Sequence, residues 1–332
     1  MSVQNDGCTS GLQTELNVEN LRTRSLRAQG FSDGVIEIML KCRRDSSNKQ
    51  YDYYLNKWLV FCNKINSDPI FSDVQTVLNF LQELFSENCR GASAMGTARS
   101  AISSIVVLPD GSTVGKDKNV TLFMKGISQM KPAQPRYLET WDPNVLIDMF
   151  KSEDWNPCTN LNLMSLSVKL VVLILLATFN RGQLILALKM SRMIRVSDEE
   201  VRFKILASEL KQGSRKNYIP EPVIFKRLVD EPELCILSHL DVYLEKTSDV
   251  RNSIDQLFLT TRKPFRAVSR DSVSHWVKSA MRHAKINVDM FAPGSVRAAS
   301  STGAFLAGVP LDQILKKAGW SRESTFVKWY KR

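Results

Sequence analysis

The sequence predicts a mainly α-helical protein with a small β-hairpin, an α+β fold divided into two domains. Apolar residues recur at helical spacing along most of the 332 residues. One segment instead alternates apolar and polar residues before a turn rich in Gly and Ser, which indicates the hairpin. A stretch with two prolines at 131–136 interrupts the helical pattern and is the expected linker.

The part before the linker is expected to hold a flexible tail and a helical bundle. Residues 1–33 are polar, show no clear apolar period and carry arginines without compensating acids, so we expect a flexible tail there. Residues 34–130 contain segments with helical spacing of apolar residues, one of which includes Tyr54, Leu55, Trp58 and Phe61. We expect these segments to pack as a small helical domain.

The part after the linker, residues 137–332, contains a dense apolar run at 163–190. This run predicts a buried helix that breaks around Asn180-Arg181-Gly182. An arginine beside so much apolar sequence needs a partner. Taken alone, Arg181 fits a buried ion pair or a helix-terminal cation as well as a cation that binds a ligand.

The predicted hairpin follows this run. Val201, Phe203 and Ile205 alternate with polar residues, 211–216 form a basic turn with Gly and Ser, and 218–220 are the expected return strand. Lys211 begins the turn. Its flexible ammonium fits an ordinary solvated turn or a group that reaches a phosphate or a leaving group.

Three chemically informative residues lie in the last segments. Arg297 sits among small residues that leave it open to a ligand, Trp320 follows Ala-Gly, and Tyr330 ends a final helical pattern. An arginine, an indole N–H and a phenol are groups that can hold a phosphodiester and attack it without a metal. Trp320 and Tyr330 taken alone also fit aromatic packing positions, so the prediction depends on their order and combination.

The composition favours a nucleic-acid partner over a membrane. The formal net charge of +11 attracts phosphate groups. The apolar run at 171–179 is too short to span a bilayer, and the first residues lack the pattern of a secretory leader, so we expect an intracellular protein. The six cysteines are widely spaced, without metal-ligand spacing, and are expected to be reduced thiols.

Several motifs occur in a fixed order between residues 40 and 332. The C-terminal ones are Val296-Arg-Ala-Ala-Ser300, Ala318-Gly-Trp-Ser321 and Ser324-Thr-Phe-Val-Lys-Trp-Tyr330. The others lie at 48–62, 77–85, 97–104, 234–247, 256–259 and 263–265. As an ordered set they resemble the tyrosine recombinase (phage integrase) superfamily, most closely the recombinases of DIRS-type and Ngaro-type retrotransposons.

The resemblance implies a SAM-like helical core-binding domain at 34–130 and a catalytic domain at 137–332 that together clamp double-stranded DNA. It implies Arg181 and Arg297 as the two catalytic arginines and Lys211 as the hairpin lysine that protonates the departing 5′-oxygen. It also implies Trp320 as a donor to a phosphate oxygen and Tyr330 as the nucleophile that forms a 3′-phosphotyrosyl bond. No metal and no other cofactor is implied. The expected assembly is a homo-oligomer on DNA, and the DNA substrate places it in the nucleus.

Two positions depart from the pattern of the family. Gly294 stands where the family usually has the His of a His-x-x-Arg motif, and Leu184 stands where an acidic residue often follows the first arginine. Loss of a general acid or base lowers a rate by roughly 10²- to 10⁴-fold. Two functions therefore stay open: an active recombinase of a mobile element, and a catalytically decayed or domesticated recombinase-like protein that binds DNA without cutting it.

Overall fold

A computed structural model describes residues 18–88, 91–210 and 219–331. The chain divides into two compact units, Met1–Gln134 and Pro135–Arg332. The predicted fold class is confirmed, because the chain is mainly helical with a small three-stranded antiparallel sheet. Each helix within the described ranges is too short or too polar to cross a membrane.

The first unit is a helical bundle built around a buried tryptophan. Trp58 is fully buried, stacks on Phe61 and meets the Phe80 ring edge-on, and its indole Nε1 donates to the carbonyl of Pro69 at 2.9 Å. In the described residues of this unit the helices are α1 Val18–Ala28, α2 Asp33–Leu40, α3 Asp45–Lys64, α4 Val74–Asn88, α5 Ala92–Ile102 and α6 Lys118–Met130.

The prediction of a flexible tail at 1–33 is wrong for its second half. Helix α1 buries Leu21 completely in the core of the first unit. Its Arg22 pairs with Asp52 at 2.7 Å, and the hydroxyl of Ser25 donates to the carbonyl of Ile105. The polar residues of this helix find partners far along the chain, which a search for a local apolar period could not detect. Residues 1–17 lie outside the described residues.

The second unit is organised around helix α8, Leu163–Thr178, which is buried along most of its length. Apolar side chains on nearly all sides of α8 allow it to pack against three later helices, α10, α11 and α12. The other helices described in this unit are α7 Asn144–Lys151, α9 Gln183–Ala187, α10 Ile236–Thr247, α11 Arg270–His283, α12 Val296–Leu306, α13 Leu311–Ala318 and α14 Glu323–Trp329.

The sheet packs one face onto this core. Its strands, β1 Met193–Ser197, β2 Glu200–Phe203 and β3 Val223–Lys226, pair antiparallel in the order β1-β2-β3. Val201, Phe203 and Phe225 are buried on the inner face. The sequence missed β1. The return strand expected at 218–220 is wrong where the structure describes it, because residues 219 and 220 are outside any strand and β2 pairs with β3 instead. The predicted basic turn at 211–216 lies outside the described residues.

A smaller apolar cluster joins the C-terminal helices to the end of α8. The rings of Trp320 and Phe326 lie 5.5 Å apart, and Phe179 from the end of α8 belongs to the same cluster. Ile314 and Ala318 of α13 complete its buried part. This cluster fixes α13 and α14 beside the helix break that the sequence predicted at residues 180–182.

Candidate active site

The break after α8 presents Arg181 to solvent. Phe179 adopts a left-handed conformation with φ of 53°, which is uncommon for a residue with a bulky side chain. Its ring packs in the apolar cluster of the C-terminal helices. The side-chain nitrogen Nδ2 of Asn180 donates to the carbonyls of Thr178 at 3.1 Å and Lys317 at 3.3 Å. The chain reversal at Phe179 therefore ends α8 and leaves Arg181 exposed just after the helix.

Helix α12 buries the second arginine. Arg297 is 3% exposed, and small residues around it, Ala298 and Ala299, let the helix pack closely. Its Nη2 donates to the carbonyl of Ala318 at 2.8 Å. Just before the helix, the hydroxyl of Ser295 accepts from the indole Nε1 of Trp141 at 2.9 Å, which fixes the turn that leads into Arg297.

Trp320 reaches Arg297 because α13 ends in a tight reversal. Gly319 adopts a left-handed φ of 68°, a conformation that glycine takes without a steric penalty, and the Trp320 amide then donates to Leu315 at 2.9 Å. The guanidinium carbon of Arg297 lies 4.4 Å from the centre of the Trp320 ring. This cation–π contact places the guanidinium over the indole ring.

Tyr330 follows α14 and closes the site. Its phenol oxygen accepts from Nη2 of Arg181 at 3.2 Å. Its ring centre lies 4.5 Å from that of Trp320 and 5.3 Å from the guanidinium carbon of Arg297. Four of the five predicted site residues, Arg181, Arg297, Trp320 and Tyr330, are thus brought together from distant parts of the sequence, and Lys211 lies outside the described residues.

Several buried donors at this site have no acceptor. Among the described residues, Nε and Nη1 of Arg297 and Nε1 of Trp320 are buried and make no hydrogen bond. Leaving a buried donor unpaired costs about 1–3 kcal/mol, and more for a charged group. Buried donors of this kind call for an acceptor from a bound water or a ligand. The matching ligand is an oxyanion with several acceptor oxygens.

The electrostatics of the site also favour an anion. Burial, together with the nearby positive charge of Arg181, lowers the pKa of Arg297 to about 10, although the Tyr330 phenol acts in the opposite direction. At neutral pH the guanidinium is still charged. An anion bound between Arg181 and Arg297 would relieve their mutual repulsion.

The two positions that depart from the family pattern have different surroundings. Gly294 is exposed, and a Cβ added there would have no heavy atom within 4 Å, so a larger side chain fits. Leu184 is 2% exposed and packs in the main core of the unit, away from solvent. The first position can therefore accept a histidine, whereas an acid at the second would be placed in an apolar environment.

The structure adds supporting residues that the sequence did not indicate. Thr302 of α12 donates from its hydroxyl to the backbone carbonyl of Tyr330 at 2.8 Å. Asn180 and Phe179 fix the segment that carries Arg181.

Comparisons with known proteins give a match for the fold but none for the sequence. The sequence matches no family model, and no curated protein matches it. A XerH site-specific recombinase in a post-cleavage complex with palindromic difH substrate is similar with a TM-score of 0.59, 16% identity and coverage of 92% of this chain and 79% of that one. The chain has the tyrosine recombinase fold.

Two further structures agree with this assignment. The XerH recombinase in a pre-cleavage complex with difH is similar with a TM-score of 0.58, 14% identity and coverage of 96% of this chain and 87% of that one. A lambda integrase fragment, crystallised as a dimer on a COC′ core site, gives a TM-score of 0.50, 11% identity and coverage of 95% and 94%. These tyrosine recombinases share the fold of the present chain at very low sequence identity.

Proposed function

We propose that this chain is a DNA-binding tyrosine recombinase that cuts and rejoins DNA through a 3′-phosphotyrosyl intermediate. The observation that carries the proposal is the group of buried, unpartnered N–H donors of Arg297 and Trp320 beside the Tyr330 phenol. A DNA phosphodiester supplies the acceptor oxygens that these donors lack. The net charge of +11 supports DNA as the partner.

The proposed cleavage step forms one bond and breaks one. The phenol oxygen of Tyr330 attacks phosphorus, so that a bond from tyrosine to phosphorus forms while the bond to the 5′-oxygen breaks. Arg181 and Arg297 stabilise the charge that spreads over the nonbridging oxygens, each by about 10³-fold in rate by analogy with arginine fingers. Trp320 donates its indole N–H to the same oxygens.

Two proton transfers accompany this step. Lys211 gives a proton to the departing 5′-oxygen, and the phenol proton of Tyr330 passes to water because Gly294 has no side chain to accept it. Rejoining reverses the step: a 5′-hydroxyl attacks the phosphotyrosyl bond and releases Tyr330. The covalent bond retains the energy of the phosphodiester, so no nucleotide is consumed.

The wider proposal is a recombinase of a DIRS-type or Ngaro-type mobile element. The ordered motifs of residues 40–332 support it, and so does the helical bundle that precedes the catalytic unit. In this proposal the helical bundle that ends at residue 130, with α1 included, is the core-binding domain, 131–136 the linker and 137–332 the catalytic domain. The protein acts as a homo-oligomer on DNA in the nucleus. The lambda integrase structure, a dimer on its core site, supports an oligomer.

A second candidate function is a decayed or domesticated recombinase-like protein that binds DNA without cutting it. Gly294 favours this candidate because it removes the side chain that the family uses at that position. The arginines and Trp320 would still hold a phosphate. Only the covalent step separates the two candidates.

Covalent trapping tests the proposal. The purified protein is incubated with fragmented genomic DNA of its source, denatured in detergent, and the DNA that stays attached to protein is quantified. We expect an adduct with the wild-type chain and none with Tyr330→Phe, because phenylalanine lacks the attacking oxygen. A native gel on the same fragments checks that Tyr330→Phe still binds DNA, so that loss of the adduct reports chemistry and not folding.

Gly294→His separates the two candidates in the same assay, and a Cβ added at this exposed position meets no heavy atom within 4 Å. An adduct that forms only with Gly294→His identifies a decayed enzyme. DNA binding without an adduct in either the wild type or Gly294→His, on DNA that includes the element's termini, contradicts the recombinase proposal.

A further inference from the structure

Three consecutive hydroxyl residues on α12 differ in what they bond. The hydroxyls of Ser300 and Ser301 donate to the carbonyl of Arg297 within their own helix, at 3.4 and 2.7 Å. Thr302 instead donates across to the carbonyl of Tyr330 at 2.8 Å. All three residues are at most 5% exposed. Burial is therefore common to the three, and the bond to the Tyr330 backbone distinguishes Thr302.

The carbonyl of Tyr330 needs such a donor. The last carbonyls of a helix have no amide partner within the helix, and Tyr330 follows the end of α14. The Tyr330 amide still donates to Phe326 at 2.9 Å, which holds one side of the residue. The hydroxyl of Thr302 holds the other side.

Helix α12 thus contacts Tyr330 at two points. The guanidinium carbon of Arg297 lies 5.3 Å from the centre of the Tyr330 ring. Five positions later, the hydroxyl of Thr302 donates a hydrogen bond to the backbone carbonyl of Tyr330. The helix that carries the buried phosphate-binding arginine therefore also sets the backbone from which the phenol projects. A substitution at Thr302 would shift the phenol oxygen relative to Arg297 without altering the side chain of Tyr330 or of Arg297.

We infer that Thr302 is a positioning residue for the nucleophile: its hydroxyl holds the backbone of Tyr330 so that the phenol oxygen faces the phosphate between Arg181 and Arg297. This inference rests on the proposed function, and it adds a residue whose role is neither to bind the phosphate nor to transfer a proton. Displacing a reacting group by about 1 Å can lower a rate by about 100-fold. Thr302 therefore affects the rate of attack and leaves DNA affinity unchanged.

The first test measures single-turnover adduct formation at saturating DNA with three variants. Thr302→Val keeps the shape of the side chain and removes the donor, and we expect the rate to fall about 10- to 100-fold with an unchanged dissociation constant for DNA. Thr302→Ser keeps the donor and should retain most of the rate. Ser301→Ala is the matched control, because it removes an equally buried hydroxyl one residue away that bonds only within α12. Equal rates for Thr302→Val and Ser301→Ala would overturn the inference.

A second test needs no DNA cleavage, so it separates failure of the inference from failure of the proposed function. 3-Fluorotyrosine is incorporated at position 330 and observed by fluorine NMR. The Trp320 ring, 4.5 Å away, shifts this resonance from the position of free fluorotyrosine. We expect Thr302→Val to move the resonance toward the free position, and Ser301→Ala to leave it in place. An unmoved resonance in Thr302→Val would show that Thr302 does not hold Tyr330, whatever the adduct assay gives.

Discussion

Two buried cations of the second unit, Lys169 and Arg297, have opposite hydrogen-bonding environments. Lys169 on α8 is fully buried, and its ammonium donates to the carbonyls of Phe150 and Trp155 and to the side-chain oxygen of Asn156, each at 2.9 Å. Arg297 on α12 is almost equally buried, yet its guanidinium has the carbonyl of Ala318 as its hydrogen-bond acceptor while Nε and Nη1 have none among the described residues.

The difference separates a structural charge from a binding charge. Burying a cation is unfavourable unless its N–H groups find acceptors. An ammonium has three donors, and the protein supplies an acceptor for each one at Lys169. A guanidinium has five donors, and at Arg297 the protein leaves several for another molecule. Burial alone thus says little about function, whereas the pairing of the donors distinguishes the two residues.

The largest expected effect is that of Arg297→Met on catalysis. We expect this substitution to lower the rate of adduct formation by at least about 10³-fold. The same change should leave the free energy of unfolding unchanged or raise it by up to about 1 kcal/mol, because it replaces an incompletely paired buried charge with an apolar side chain of similar length. Single-turnover trapping and urea denaturation measure the two quantities. A large loss of stability in Arg297→Met would mean that this arginine is structural, and the contrast with Lys169 would be lost.

The same substitution at the other cation should have the reverse outcome. Lys169→Met removes the donor of one buried and two partly buried oxygen atoms, and we expect the free energy of unfolding to fall by about 3 kcal/mol. The molecules that remain folded should form the adduct at the wild-type rate, because Lys169 touches none of the four assembled site residues. Urea denaturation gives the first quantity, and the adduct yield per folded molecule gives the second. A stable Lys169→Met protein with a low rate of attack would assign Lys169 to the site.

Much of the site could be predicted because its residue types occur in an order and combination that packing alone does not explain. An arginine at a helix break and another among small residues, followed by Trp320 and Tyr330, indicated phosphate chemistry, and the structure brings these four together. The helical fold followed from apolar spacing in the same way. Both signals are local in the sequence, or lie in an order that can be followed along the chain.

The parts that the sequence did not reveal depend on contacts between distant residues. The donation from Thr302 to the Tyr330 carbonyl joins residues 28 positions apart, and Asn180 reaches a carbonyl 137 positions away. Helix α1 was missed for the same reason, since Arg22 and Ser25 bond to Asp52 and Ile105. Polar residues with tertiary partners look like solvated residues in a sequence. Lys169 is a further case, because its three acceptors come from residues 13 to 19 positions earlier in the chain.

The expected effect that is smallest at neutral pH concerns the pH dependence of stability. Burial lowers the pKa of Lys169 to about 8 from the ordinary 10.5 of a lysine. Above pH 8 the folded protein has released this proton, while the unfolded chain keeps it until about pH 10.5, so the unfolded state binds more protons in that window. The free energy of unfolding should therefore rise with pH between these two values, by about 3 kcal/mol. Below pH 8 the lysine is protonated in both states and contributes no slope.

Urea denaturation of the wild type and of Lys169→Met at a series of pH values isolates this contribution, since other groups titrate alike in both proteins. Parallel pH profiles for the two proteins would show that the lysine keeps its ordinary pKa, and that three acceptors fully offset the burial of a charge.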